Sequence, residues 1–380
     1  MGASQDDEQT EVRAEEQPGR FEAPESARRQ PPAAANGIGG FGEGSVRDQS
    51  LNPRVGLPVS PPPPTTLGAS PGPAEGLDPR SLLRSQRPVP KQGWRQLAYT
   101  ATRGRWNPGP SRAEVDHEAL LGQVRTPGPR CVRVAVISLK GGVGKTTTTA
   151  GLGATLASIR GDRVVALDAN PDAGTLASRF PRQTDATVRD VLGQLDQLGS
   201  YAAVRARTSQ GPSRLEIIAS DQDPAVSTAF SEDDYRQVSD LVGRFYSIML
   251  TDSGTGLLHS AMRGTLALAD SLVIVTSPSV DGAKGANDTL DWLVAHGHTR
   301  LVEESIAVIS TVRRQSRDVD IDKLEGHFSR RCREVVRIPY DSHLQTGSEI
   351  DLDQLRPATR RAYLQLAARV AGQFSSFAER

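Results

Sequence analysis

The sequence predicts an α/β chain built on a doubly wound, mostly parallel sheet, and three observations carry that prediction. From Cys131 onward, short apolar runs rich in β-branched residues alternate with segments of helical periodicity. The first run leads through a glycine-rich turn straight into a helix. A later run ends in an acid at Asp252.

Taken in order, the expected strands are Val132–Ser138, Arg163–Asp168, Leu215–Ala219, Tyr246–Asp252, Ser271–Val275, Ser305–Ile309 and Val335–Ile338. Between them, helices are expected near 145–160, 187–196, 231–244, 259–269, 281–296 and 319–330. A final helix, about 357–374, sets Tyr363, Leu366, Ala367, Val370 and Phe374 on one stripe. Its surroundings are not densely basic, which favours core packing over a membrane-targeting tail. No internal repeat is present.

The first third of the chain has a different composition. Of 26 prolines, 19 precede residue 131. Residues 1–78 are low in complexity: acidic at the start, glycine-rich around Gly37–Gly44, then the run Pro61–Pro64. A disordered extension is expected there, with polyproline II at the proline run serving as a stiff spacer or as a ligand for an aromatic groove. A basic, tryptophan-containing segment and linker, 79–130, follows, and 131–380 is expected to form the globular domain. Within the middle segment Trp94, Leu97, Ala98 and Ala101 fall at helical spacing, flanked by Arg95, Arg103 and Arg105. An amphipathic helix with that flank could rest on a membrane surface, a nucleic acid or a protein, or simply pack against the domain that follows.

Charge is zoned as well. The 45 basic and 45 acidic residues cancel. Yet residues 1–26 hold eight acids against two arginines, and 79–113 hold eight basic residues and no acid. Two cysteines, Cys131 and Cys332, are too few for a disulfide framework or a metal cluster and fit a reducing compartment. His259, His296, His298 and His343 have no metal-ligand spacing. The start, MGASQDDEQT, is the reverse of a signal peptide, and no run approaches the roughly 18 apolar residues that cross a bilayer. A soluble cytoplasmic protein without a transmembrane segment is expected, with the inner face of the membrane one of the surfaces open to 79–113.

The chemistry is concentrated in "VISLKGGVGKTTTTAGL", 136–152. Glycines allow the backbone N–H groups of Gly141, Gly142, Val143 and Gly144 to converge on an anion, and the helix N-terminus adds partial positive charge. Lys145 would reach β- and γ-phosphates, and the Thr146 hydroxyl would ligate Mg²⁺. Leu139 stands where the usual phosphate loop has its first glycine, and an additional lysine, Lys140, opens the motif K-G-G-x-G-K-T. This stretch resembles the deviant Walker A loop of the ParA/MinD family of ATPases. The resemblance implies ATP and Mg²⁺ as ligands, Thr147 among the nucleotide-binding residues, and an ATP-dependent homodimer in which Lys140 contacts phosphate across the interface.

Two further stretches extend the resemblance. "VVALDANPDAG", 164–174, matches a family stretch of the form D-x-D-P: Asp168 aligns with the first acid, and Asn170 replaces the second, which orients or activates water. An amide can hold a water but cannot accept its proton, so slow hydrolysis is expected, with Asp172 a substitute acid or a turn former. "YSIMLTDSGTGLLHSAM", 246–262, supplies Asp252 as the acid that holds Mg²⁺ through water, with Ser253–Gly256 sensing the γ-phosphate. In "VISTVRRQS", 308–316, Ser310 takes the place where the family often offers Asn to adenine.

The phrases at 93–114, 161–179, 252–262, 327–341 and 355–367 are similar to the EspI-type ATPases associated with ESX (type VII) secretion loci of actinobacteria. That resemblance implies a nucleotide-timed switch acting on a secretion component. A DNA-partition ATPase is the alternative, using Arg313, Arg314, Arg317, Arg330, Arg331, Arg333 and Arg337 on duplex phosphates. Asp318, Asp320, Asp322, Glu325 and Glu334 are interspersed there and favour a solvated mixed face. A regulatory module that binds nucleotide with little turnover is the third reading, motivated by Asn170.

Overall fold

Side chains of the strand β1 (Val132–Ile137) divide between two apolar layers, and that division sets the architecture. Val132, Val134 and Val136 enter one core, Ala135 and Ile137 another. A strand covered on both faces is largely apolar, and the one charged residue of this run, Arg133, reaches Ser239 and Asp240 from a half-buried position. The computed structural model describes residues 88–170, 174–221, 230–256, 259–313 and 319–377. The expected disordered extension, 1–78, lies outside the described residues.

Among those residues the remaining strands are β2 (Val164–Ala169), β3 (Ser209–Gln210), β4 (Glu216–Ile218), β5 (Ile248–Ser253), β6 (Ser271–Thr276), β7 (Ile306–Ser310) and β8 (Glu334–Ile338). The helices are α1 (Gly93–Ala101), α2 (Arg112–Val124), α3 (Lys145–Ile159), α4 (Val188–Leu192), α5 (Tyr201–Arg205), α6 (Glu232–Gly243), α7 (Ser260–Leu268), α8 (Val280–Ala295), α9 (Thr299–Glu303), α10 (Ile321–Phe328), α11 (Ser342–Gln345) and α12 (Pro357–Ala371). The strand order is β3-β4-β2-β5-β1-β6-β7-β8. Every neighbouring pair is parallel except β3–β4, which is antiparallel. The sheet is doubly wound, as the alternation of runs and helices predicts.

One core lies between the sheet and α2, α3 and α12, with Leu152, Leu156, Leu250, Leu366 and Phe374 fully buried. The other face carries α6 over β2 and β5 and α8 over β6, each with its own apolar cluster. The stripe of α12 is core: Tyr363, Leu366, Ala367, Val370 and Phe374 are all buried. Tyr363 lies so close to α3 that a methyl group on Gly151 would come 2.4 Å from its ring, and its hydroxyl donates to the Thr147 carbonyl at 3.3 Å. The last helix thus braces the first turns of the helix that follows the glycine-rich loop.

Five elements were not expected from the sequence: β3, α2, α5, α9 and α11. The strand β3 spans two residues on the antiparallel edge, too short to leave a periodic signature. The helix α2 begins with a capping box, in which Ser111 Oγ accepts from Glu114 N and Glu114 accepts from Ser111 N. The pattern S-x-x-E at 111–114 was its legible signal. The helix α1 forms as predicted but does not pack through its apolar stripe: none of its residues is buried. Trp94 and Leu97 are 62% and 72% exposed.

Candidate functional site

The glycine-rich turn occupies the carboxyl end of β1, where a parallel sheet presents its ligand crevice. Gly142 and Gly144 adopt φ of 75° and 93°, in the left-handed region that glycine enters at no steric cost. Gly144 is also crowded: a Cβ there would lie 2.8 Å from Ser310 Oγ and 3.0 Å from Val312 Cγ2. Ser138 Oγ closes the start of the turn, accepting from Lys140 N at 3.2 Å. The first turn of α3 then aims its free N–H groups into the crevice, an anion site by construction.

Strand register brings the acids to the same end. Asp252 pairs in register with Asp168 across β2–β5 and with Val136 across β1–β5. Both carboxyls are fully buried. Lys145 Nζ stands 3.8 Å from Asp252 Oδ1, and the Thr149 hydroxyl donates to the same oxygen at 3.2 Å. The Thr146 hydroxyl also bonds Asp252. Asp252 Oδ2 is buried without a hydrogen-bond partner among the described residues. Burial raises the Asp252 pKa against the opposing pull of Lys145.

Asp168 is held by the chain that follows it. Its Oδ1 accepts from Asn170 N at 3.2 Å and its Oδ2 from Leu176 N at 2.9 Å. Gly174 passes so near that a Cβ there would meet both oxygens at 2.1 Å. Burial and then the neighbouring charge of Asp252 push the Asp168 pKa up to about 7, with the two backbone N–H groups pulling the other way. Lys145 is thus at contact distance of Asp252 and acts on Asp168 only through its field. Arg179 adds only a weaker field on Asp252 from beyond ion-pair distance.

Hard oxygen donors with an orphaned carboxylate oxygen and a charge deficit are what Mg²⁺ with its retained waters suits. Asp252 and Thr146 fit that role, with Lys145 free to turn toward a phosphate. Asn170 is half-buried two residues after Asp168, and Asp172 lies outside the described residues. Ser310 is buried at the end of β7, against the loop. It borders a slot of about 10 Å³ lined also by Thr147, Thr311, Val312, Ile338 and Pro339. A base could enter there only if those walls part.

Lys140 does not join this cluster. Its ammonium pairs with Asp281 Oδ2 at 2.8 Å, on the first turn of α8, and its side chain is 41% exposed. Asp281 and Thr149 were not singled out from the sequence. Nothing local marks Asp281, since its partner is 141 residues away. Of the arginines named above, Arg337 pairs with Asp322 and Glu325 and Arg331 with Asp291, while Arg313, Arg330 and Arg333 make no ion pair among the described residues. Arg314 and Arg317 lie outside the described residues. Among the described residues no group of acids, histidines and cysteines forms a metal cluster, and no helix is long and apolar enough to cross a membrane.

Residues 134–345 match the CobQ/CobB/MinD/ParA nucleotide binding domain. The chain belongs to that family. As a ParA/MinD-type nucleotide-binding domain it has relatives of two kinds. Over 288 residues it is 38% identical to the ESX-1 secretion-associated protein EspI of Mycobacterium tuberculosis, a match taking in 75% of this chain and 43% of that protein. The chain thus spans less than half the length of that relative. Among solved structures, the ParA family ATPase of Chlorobium tepidum superposes with a TM-score of 0.53 at 18% identity, covering 63% of this chain and 98% of that one. The septum site-determining protein MinD of Pyrococcus horikoshii, complexed with Mg-ADP, gives 0.50 at 20% identity, covering 63% and 96%. At such identities these two bear on the fold alone.

Proposed function

We propose that this domain binds ATP with Mg²⁺ and works as a slowly hydrolysing dimerisation switch in type VII secretion. The observation that carries the proposal is the division of labour between the two lysines. Lys145 is buried beside Asp252, while Lys140, five residues earlier in sequence, stands in solvent on Asp281. A lysine needed for phosphate binding within one chain has no reason to face outward. One that reaches a partner's phosphates does, and the exposed pair with Asp281 is weak enough to exchange for a phosphate.

In this reading the loop amides of Gly141, Gly142, Val143 and Gly144, with Lys145 and Thr147, hold the phosphates, and Thr146 and Asp252 hold Mg²⁺. The metal, when bound, neutralises charge on the phosphate oxygens. Asp168 stays anchored through Leu176 N and Asn170 N and positions the loop over the phosphates. Asn170 can orient water without taking its proton, so turnover is slow. The likeness to EspI supports a secretion component as the partner, and the ion pairs of Arg331 and Arg337 weigh against a DNA surface.

Light scattering of the full chain with ADP, with ATP and magnesium, and with a non-hydrolysable analogue tests the switch. The wild type should dimerise only with the triphosphates. Lys140→Ala should bind nucleotide within about threefold of wild type, as expected for an exposed pair, yet remain monomeric. Dimers persisting in Lys140→Ala would refute the role given to Lys140.

A further inference from the structure

The segment ahead of the nucleotide domain presents its apolar side chains outward. In α1, Arg95, Ala98 and Tyr99 are half-buried, and Arg95 Nη1 donates to the carbonyls of Pro108, Gly109 and Pro110 at 3.1, 3.3 and 3.3 Å. The outward stripe is Trp94 and Leu97. A tight turn through Arg103 and Gly104, with φ of 48° and 78°, then brings Trp106 back to 6.4 Å from Trp94, itself 54% exposed. Arg103 is one of two non-glycine residues at positive φ among the described residues, and its turn sets the two exposed tryptophans side by side. The hairpin is fixed to the domain through Lys91, whose N–H donates to Glu114 Oε1 at 2.7 Å and whose ammonium pairs with Glu118. Arg103 and Arg105 are exposed, and among the described residues no acid pairs with either.

We infer that this face, Trp94, Leu97 and Trp106 rimmed by Arg103 and Arg105, docks on a bilayer surface containing anionic lipid. Charge complementarity favours that occupant: residues 79–113 carry eight basic side chains and no acid. Tryptophan fits the interface between headgroups and acyl chains, and clusters of arginine and lysine beside an apolar helix face are attracted to anionic headgroups. A second copy of the chain would set the same positive charges against each other. Three side chains also fall far short of the roughly 800 Å² per partner that a stable dimer buries.

The test is co-sedimentation of the full chain with vesicles of equal parts phosphatidylglycerol and phosphatidylcholine, and with vesicles of phosphatidylcholine alone. Three proteins are compared: wild type, Trp94→Ser/Leu97→Ser/Trp106→Ser, and Arg103→Gln/Arg105→Gln. All the substituted side chains are exposed, and far-UV circular dichroism checks that each variant keeps its fold. Wild type should bind the anionic vesicles, with salt weakening the interaction, and each variant should lose about tenfold or more in affinity. With Trp292→Phe as background, the emission of Trp94 and Trp106 should shift to the blue on binding. Equal binding to both vesicle types, binding unchanged in the triple variant, displacement of vesicles by a single-stranded oligonucleotide, or self-association through these tryptophans without lipid would each overturn the proposal.

Discussion

At the residue scale, the strand-end cluster is unbalanced by design of its register: Asp168 and Asp252 face each other in buried surroundings with Lys145 at contact distance of Asp252 alone. The raised pKa of Asp168 fixes the sign of its pH effect. The folded form binds the proton more tightly than the unfolded chain, so this group's contribution to stability falls as pH rises from about 4 to about 7. Relative to wild type, Asp168→Asn should therefore gain stability as pH rises from about 4 to about 8, set against a constant cost for the backbone N–H, Asn170 or Leu176, that loses its acceptor. Thermal or urea unfolding across that range measures it. Lys145→Ala should weaken nucleotide binding by about tenfold to a hundredfold, the worth of a charged hydrogen bond, read by calorimetry. Legibility at this scale follows distance in sequence. Lys145, Thr146, Asp168 and Asp252 announce themselves because each sits at a strand end or in the loop. Thr149 and Asp281 do not, because their roles arise only when strands and helices distant in sequence are brought together.

Elements were legible in proportion to how much apolar surface they bury. The runs that become β1, β2, β5 and β6 are continuous because helices cover both faces. The strand β3 buries too little to be read, whereas α1 has the expected helical spacing, and of the surfaces open to its stripe the following domain is the one it does not meet, since Trp94 and Leu97 are exposed. At this scale α3 is the element under most constraint. Its Gly153 has Leu250 and Leu215 within 3.1 Å of a notional Cβ on the sheet side, and its Gly151 has the Tyr363 ring on the other. Gly151→Ala should destabilise the fold by about 1–3 kcal/mol through overpacking, and Gly151→Ala combined with Tyr363→Leu should recover part of it. Unfolding midpoints of the single and double variants decide this.

Across the whole molecule, the parallel order of the sheet gathers functional residues from β1, β2, β5 and β7 at one edge, and that convergence is what the sequence could show only as separate phrases. Saturating nucleotide at about a hundred times its dissociation constant should stabilise the protein by about 2.7 kcal/mol, and at the same concentration the gain should fall to about 0.4–1.4 kcal/mol in Lys145→Ala. The helix α3 lies fixed between the sheet and α12, with Tyr363 OH bonded to the carbonyl of Thr147. A helix packed on both sides has little room to slide or tilt. Whatever the molecule does with nucleotide must be done by segments around α3, such as the chain after Asp168 and the first turn of α8. In deuterated water, the amides of α3 and β1 should be the last to exchange with or without nucleotide, while the amides of those flanking segments report its arrival.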